Sequence, residues 1–207
     1  MGPPAAAVGL PQTWRLAGAM LLAGVAYFAL ARLGLLIPYV GTHVSLVWLP
    51  TGVALAAYWR WGLAMAPAIG LAAFAANLSL GGPAWVAAGI ALGNTLGPGL
   101  SVWLLRRWRF DDTLVHRRDL GLYLAAVAMG MVVPASNGTA WLAAAGMPAE
   151  LWLPAWISWW IGDSVGALLG GVPLLALDRR ALALAFLGRR GPGNLLLLGG
   201  VAASSLL

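Results

Sequence analysis

Apolar and polar positions in this chain are sorted into long blocks rather than alternating residue by residue. Six blocks are almost wholly apolar, at about residues 14–37, 46–59, 62–78, 85–105, 120–142 and 151–177. A bilayer crossing takes roughly 20 apolar residues, so each block is read as a membrane-spanning helix, the second a short one. Short connections separate them: PYVGTHVS (38–45), SLGGP (79–83), RRWRFDDTLVHRRD (106–119) and residues 143–150. Two arginine pairs, Arg179-Arg180 and Arg189-Arg190, bracket a short apolar piece, and a final apolar run reaches Leu207. The expected fold class is all-α, a polytopic transmembrane helical bundle with six clear spans plus a partial seventh or eighth. Residues 1–13, rich in Pro, Ala and Gly, are expected to form a disordered cytoplasmic tail. Residues 14–207 are read as one integral membrane domain, incomplete at its C-terminal end because the chain stops inside an apolar run.

Composition supports this reading. Hydrophobic residues make up 61% of the 207 and charged residues 9%, with mean hydropathy +0.86, far from an ordinary soluble domain. The net charge of +6 comes from twelve Arg and no Lys. Ten of these arginines fall after the second, fourth and sixth blocks, Arg15 and Arg32 lie in the first block, and the opposite connections hold none. By the positive-inside rule those connections, and the N-terminus, are cytoplasmic. The charge therefore reports topology and not nucleic-acid binding. There is no cysteine, which excludes thiol chemistry and disulfides. His43 and His116 lie in connections on opposite sides, so no metal site is expected. No catalytic motif, phosphate loop or cofactor signature is present, and no enzyme activity is expected.

The polar residues inside the apolar blocks carry the chemistry. Asp163 stands near the middle of WISWWIGDSVGALLGGVP (156–173). A carboxylate at membrane depth faces protein, water or ligand rather than lipid and is a functional candidate by default. Trp48-Leu49-Pro50-Thr51-Gly52 must break the start of the second span, and such backbone persists only where protein or a cavity covers it. Depth along each helix, at about 1.5 Å per residue, places Trp48 and Thr51, Asn77, Asn94 and Thr95, Ser136, Asn137 and Thr139, and Asp163 between the extracytoplasmic surface and the midplane. The inner halves are nearly all apolar. This asymmetry predicts an outer-half cavity lined by Trp48, Asn77, Asn94, Thr95, Asn137, Trp159, Trp160 and Asp163. The plainer reading of each Asn or Thr is interhelical glue worth roughly 1 kcal/mol. Arg32, at the end of the first block, either snorkels to the headgroups or pairs with Asp163.

Three segments, residues 47–78, 88–107 and 156–177, resemble the type-one membrane-associated sensor domain (MASE) family. The matching features are Trp48 to Gly52, Asn77, Gly93-Asn94-Thr95, and Trp159-Trp160-Ile161-Gly162-Asp163 with Pro173. Gly97-Pro98 stand where many members carry a glutamate. The resemblance implies a bacterial inner-membrane input domain of about eight helices, coupled to a histidine kinase or a cyclic-di-GMP enzyme. The expected function is to detect a small molecule, a membrane-protein ligand or a membrane state, and to relay it to a fused or separate cytoplasmic signalling domain. Homodimerisation fits the glycine-rich faces. The alternative is a small-solute binding or transport protein similar to the substrate-binding components of vitamin uptake systems.

Overall fold

The structure, a computed structural model, describes residues 12–36 and 46–176. The N-terminal tail, most of the first connection and the expected partial spans after residue 177 lie outside the described residues. Within them every regular element is helical. The elements are α1 (Gln12–Gly34), α2 (Pro50–Trp61), a 3-10 turn (Gly62–Met65), α3 (Ala66–Leu78), α4 (Ala84–Arg107), α5 (Arg117–Gly130) and α6 (Val132–Ala144). A second 3-10 turn (Ala149–Leu151), α7 (Trp152–Gly166), a π turn (Ala167–Gly171) and α8 (Val172–Ala176) follow.

Prolines set several of these boundaries. Pro50 opens α2, where its missing N–H would have no helical acceptor anyway. Pro83, in extended conformation, precedes α4. Pro134 cannot donate to the turn before it, and α5 accordingly gives way to α6 at Met131.

Five helical stretches are long and apolar enough to cross a membrane: Gln12–Gly34, Pro50–Leu78, Ala84–Arg107, Arg117–Ala144 and Ala149–Ala176. The sequence led us to expect six, and the second and third blocks merge into the single 29-residue stretch Pro50–Leu78. That stretch is not straight. Gly62 adopts φ 72° and ψ −167°, a conformation open essentially to glycine. The neighbours show that the chain reverses there. Arg106, near the end of α4, donates to the carbonyls of Tyr58 (3.0 Å) and Trp59 (2.9 Å) near the end of α2, so α2 and α4 finish on the same side. In α3, by contrast, Gly70 lies beside Thr95 and the preceding Leu63 beside Gly99, so α3 runs antiparallel to α4. The side holding Arg60, Arg106, Arg107, Arg117 and Arg118 is called the arginine end below, and the other the far end.

The second helix does not start at the far end. It has 12 residues, about 18 Å of rise, and its first turn meets the last turn of α7, where Thr51 hydrogen-bonds Asp163. The lead-in is pinned to the same place, because the Trp48 N–H donates to the Gly162 carbonyl at 2.9 Å. Glycine permits the approach. A Cβ on Gly166 would overlap the Trp48 carbonyl, and one on Gly52 would overlap the backbone of Gly170 and Gly171.

The fourth helix is the hub, packed on α2, α3, α5 and α6. Its α6-facing side repeats a small residue every fourth position, a pattern that lets membrane helices approach closely. Gly89 receives the Trp141 ring, Gly93 the Asn137 amide and Gly97 the Pro134 ring. Outward-facing Leu21, Leu22, Leu71, Leu92, Trp103 and Leu153 are largely exposed, as the lipid-facing surface of a bundle must be.

Gly166→Ala should lower stability by about 1–3 kcal/mol through overpacking against a backbone carbonyl. Gly18→Ala, where an added Cβ meets nothing within 4 Å, should be neutral or gain up to about 1 kcal/mol of helix propensity. Thermal unfolding of both variants in one detergent checks the contrast; equal effects would contradict the tight α2–α7 junction.

Candidate ligand-binding site

A cavity of about 170 Å³ opens among α1, the α2 lead-in, α3, α4, α6 and α7 on the far-end side of Asp163. Its walls are mostly apolar, from Leu35, Val86, Ala87, Ile90 and Leu142, and its mouth is rimmed by Leu80, Gly82 and Pro83 of the α3–α4 connection. Four of the eight residues expected from the sequence line it: Trp48, Asn77, Asn94 and Trp159. Trp159 is seated by Gly138, where a Cβ would come within 2.5 Å of the ring.

Beneath the cavity lies a buried polar cluster. Trp48 Nε1, Asn94 Oδ1, the Tyr27 hydroxyl and Asp163 Oδ2 are all buried, and none makes a hydrogen bond of full geometry within the chain. The Trp48 indole and the Asn94 amide lie within hydrogen-bonding reach of the Tyr27 hydroxyl, and the Asp163 carboxyl acts on it through its charge, which places the four together. The other carboxyl oxygen, Asp163 Oδ1, accepts from the Thr51 hydroxyl. A polar cluster with an acid at membrane depth is a functional candidate.

The remaining four expected residues divide differently. Asp163 belongs to the buried cluster below the cavity and is 1% exposed. Thr95 does not line the cavity; its hydroxyl returns to the Ala91 carbonyl at 2.7 Å and it faces Gly70 of α3. Asn137 ties α6 to α4 by donating to the Gly89 carbonyl at 2.5 Å and accepting from Trp141 at 3.2 Å. Trp160 turns away, stacks on Trp156 at 6.2 Å and donates to the Ala128 carbonyl at 2.8 Å. The proposed Arg32–Asp163 ion pair is not formed. Arg32 lies toward the far end, five residues beyond Tyr27 on α1, and donates to Ser79 at 2.5 Å.

Two members of the cluster were not among the expected site residues. Thr51 was placed near the extracytoplasmic surface because depth was counted from residue 46, whereas α2 begins at the level of Asp163. Tyr27 carried one usable signal. It is a tyrosine in the interior of an apolar block, away from the ends where interfacial aromatics gather.

The MASE1 family model matches residues 19–190. The chain belongs to this family of membrane-associated sensor domains. The match covers every residue of the cavity and of the buried cluster. Comparison with curated proteins and with solved structures gave no match.

From this MASE1 site a continuous set of contacts leads to the arginine end. Asp163 is followed by the π turn, whose Ala167 carbonyl accepts from the Tyr123 hydroxyl at 2.7 Å. The Tyr123 ring lies 5.9 Å from Phe110, which meets Trp59 edge-on at 5.4 Å. Trp59 donates to Asp112 at 2.8 Å and carries Arg106 over its ring. In the same connection the Thr113 N–H donates to Asp111 at 3.0 Å and holds that exposed carboxyl below the usual carboxylate range.

Asn94→Leu should raise or leave unchanged the stability of the domain, because it removes an unpaired buried amide oxygen. Asn137→Leu should lower it by about 1 kcal/mol by cutting an α4–α6 tie. Unfolding of the two variants side by side tests the division. A loss at Asn94 equal to that at Asn137 would make both structural.

Proposed function

We propose that this MASE1 domain is the sensory input of a bacterial signalling protein. It lies in the inner membrane with its N-terminus and arginine end in the cytoplasm, and its cavity faces the outer half of the bilayer. On this reading the chain makes six passes before residue 177, the second beginning at mid-depth. Occupancy of the cavity, or a change in the membrane around it, alters the buried cluster and shifts α2 against α7. The shift reaches the cytoplasmic connections and from there a histidine kinase or a cyclic-di-GMP enzyme, fused or separate.

The observation that supports this reading best is the position of α2. Its first turn is bonded to the candidate site through Thr51 and Asp163. Its last turn is bonded to the arginine end through Arg106, and Arg60 donates to the Leu174 carbonyl beyond the π turn. A short helix held at both ends is a direct mechanical link between the two.

In membranes containing the domain with its output, Asp163→Asn and Thr51→Val should each change basal output at least about fivefold, the lower end of ordinary allosteric coupling. Gly18→Ala should leave it unchanged. Unaltered output in both site variants would sink the reading. Orientation has its own test, since the chain has no cysteine. Thr113→Cys should react with an impermeant maleimide only after cells are permeabilised, and Gly82→Cys should react in intact cells; the reverse pattern would invert the topology.

A further inference from the structure

Charge at the arginine end is unevenly spent. The end of α4, the connection after it and the first turn of α5, residues 106–119, carry five arginines and three aspartates. Every one of these aspartates is engaged by an N–H group. Asp112 accepts from the Trp59 indole at 2.8 Å, Asp111 from the Thr113 N–H at 3.0 Å, and the buried Asp119 from the Asp111 N–H at 3.3 Å. Among the described residues none of the three forms an ion pair with an arginine of this segment. The arginines go elsewhere. Arg106 donates to the Tyr58 and Trp59 carbonyls and lies over the Trp59 ring. Arg118 donates to the Trp108 carbonyl at 3.3 Å. Arg107, between them, is exposed and has no side-chain partner among the described residues.

We propose that the end of α4 is a headgroup site for an anionic phospholipid, with Arg107 as the direct phosphate contact and Arg106 and Arg118 beside it. The proposal needs only the bilayer placement of the helices and stands apart from the sensory reading.

Placement on the helix is the first argument. Leu92, Leu96 and Trp103 are each more than half exposed. At about 100° of rotation per residue, these three and Arg107 fall within about 60° of one another around α4, so Arg107 ends the lipid-facing stripe of that helix. Trp103 stands one turn before it, where an interfacial aromatic flanks the headgroups. A lipid chain lying along this stripe brings its phosphate to Arg107.

The second argument is the hardware for a phosphate. A guanidinium offers five N–H donors in a planar fork that matches phosphate oxygens. The carbonyl bonds of Arg106 and Arg118 each use only one terminal nitrogen. They fix both guanidinium groups near the end of α4 and leave donors over. Charge then selects the headgroup. A zwitterionic lipid brings its own cation into a region where five arginines already outnumber three aspartates, and an anionic lipid does not.

The test uses the purified full chain in a neutral detergent, titrated with dioleoyl phosphatidylglycerol or dioleoyl phosphatidylcholine and read by native mass spectrometry. An arginine near an anionic headgroup is worth roughly fivefold in affinity. The first phosphatidylglycerol should therefore bind at least about fivefold more tightly than the first phosphatidylcholine. Arg107→Gln should bring the two lipids to within about twofold, with thermal unfolding in the same detergent showing that the variant is folded. Arg32→Gln, which removes the same charge from the other end of the bundle, should leave the preference within about twofold of the unmodified chain. Inorganic phosphate in large excess should not displace the lipid. Equal affinity of the two lipids for the unmodified chain would overturn the proposal. A preference that survives Arg107→Gln would put the anion elsewhere and overturn it, and equal losses in the two variants would reduce it to net charge. Displacement by inorganic phosphate would make this a soluble-anion site and overturn the lipid assignment.

Discussion

Everything in this bundle depends on covering a stretch of non-helical backbone at mid-depth. Trp48 and Leu49 approach α2 as extended and turn backbone, where no bilayer water can satisfy their polar groups. The chain answers with α7. The Trp48 N–H is taken by the Gly162 carbonyl, and the Thr51 side chain in the first turn of α2 is spent on Asp163. The first turn of α2 satisfies its own donors: Pro50 has no N–H, the Thr51 N–H donates to the Trp48 carbonyl at 3.1 Å and the Gly52 N–H to the Leu49 carbonyl at 3.0 Å. An acid at that depth needs a donor, and the Thr51 hydroxyl supplies it. The glycines at 52, 166, 170 and 171 are the steric condition for both. A side chain at Gly52 or Gly166 would push the two backbones apart before any of these bonds formed.

Much of this was visible in the order of residues, and the exceptions have physical causes. The helical blocks were legible because long apolar runs admit one structure in a bilayer, and the boundaries of α1, α4 and the α7 stretch came within a few residues. The burial of Asp163 was legible because an acid at membrane depth turns away from lipid. The division of residues 46–78 was less direct, because Pro50–Leu78 is one unbroken helical stretch long enough for a single crossing and only the reversal at Gly62 separates α2 from α3. Neighbouring polar residues were also not separable. Asn94 and Thr95 are adjacent, and about 100° of helical rotation puts one over the cavity and the other against Gly70. In a soluble helix the hydrophobic stripe would have told the two faces apart. In a helix apolar on all sides it gives no such guide, so Asn94, Asn137 and Trp160 looked equivalent although only the first lines the cavity.

The division between satisfied and unsatisfied polar groups is the clearest separation of structure from function in this domain. Asn137, Thr95, Trp156 and Trp160 all complete hydrogen bonds to carbonyls or side chains of the bundle. They do what polar residues in membrane helices ordinarily do. Tyr27, Trp48, Asn94 and Asp163, like Tyr58, Thr139 and Ser164, keep atoms without a partner of full geometry, and the first four gather beneath the cavity. A core selected for stability alone would fill that space with methyl groups and lose the polar atoms.

On the proposed sensory reading, the incompletely bonded cluster is the element that would respond. A ligand shifts an equilibrium only by the difference in its interaction with two states. A change at the cavity would favour one arrangement of the cluster, and the cluster is joined to the first turn of α2 through Thr51 and Asp163. At its other end, Tyr58 and Trp59 present their carbonyls to Arg106, bonds that a displaced α2 would have to stretch or exchange. The π turn beside it, bonded to Tyr123, is a helical irregularity of the kind often found at functional sites, and it adjoins Gly52 on the same helix. A short helix between two hydrogen-bonded anchorages moves as a unit or not at all, so on the proposed reading a local change at the cavity would reach the arginine end with little lost to bending in between.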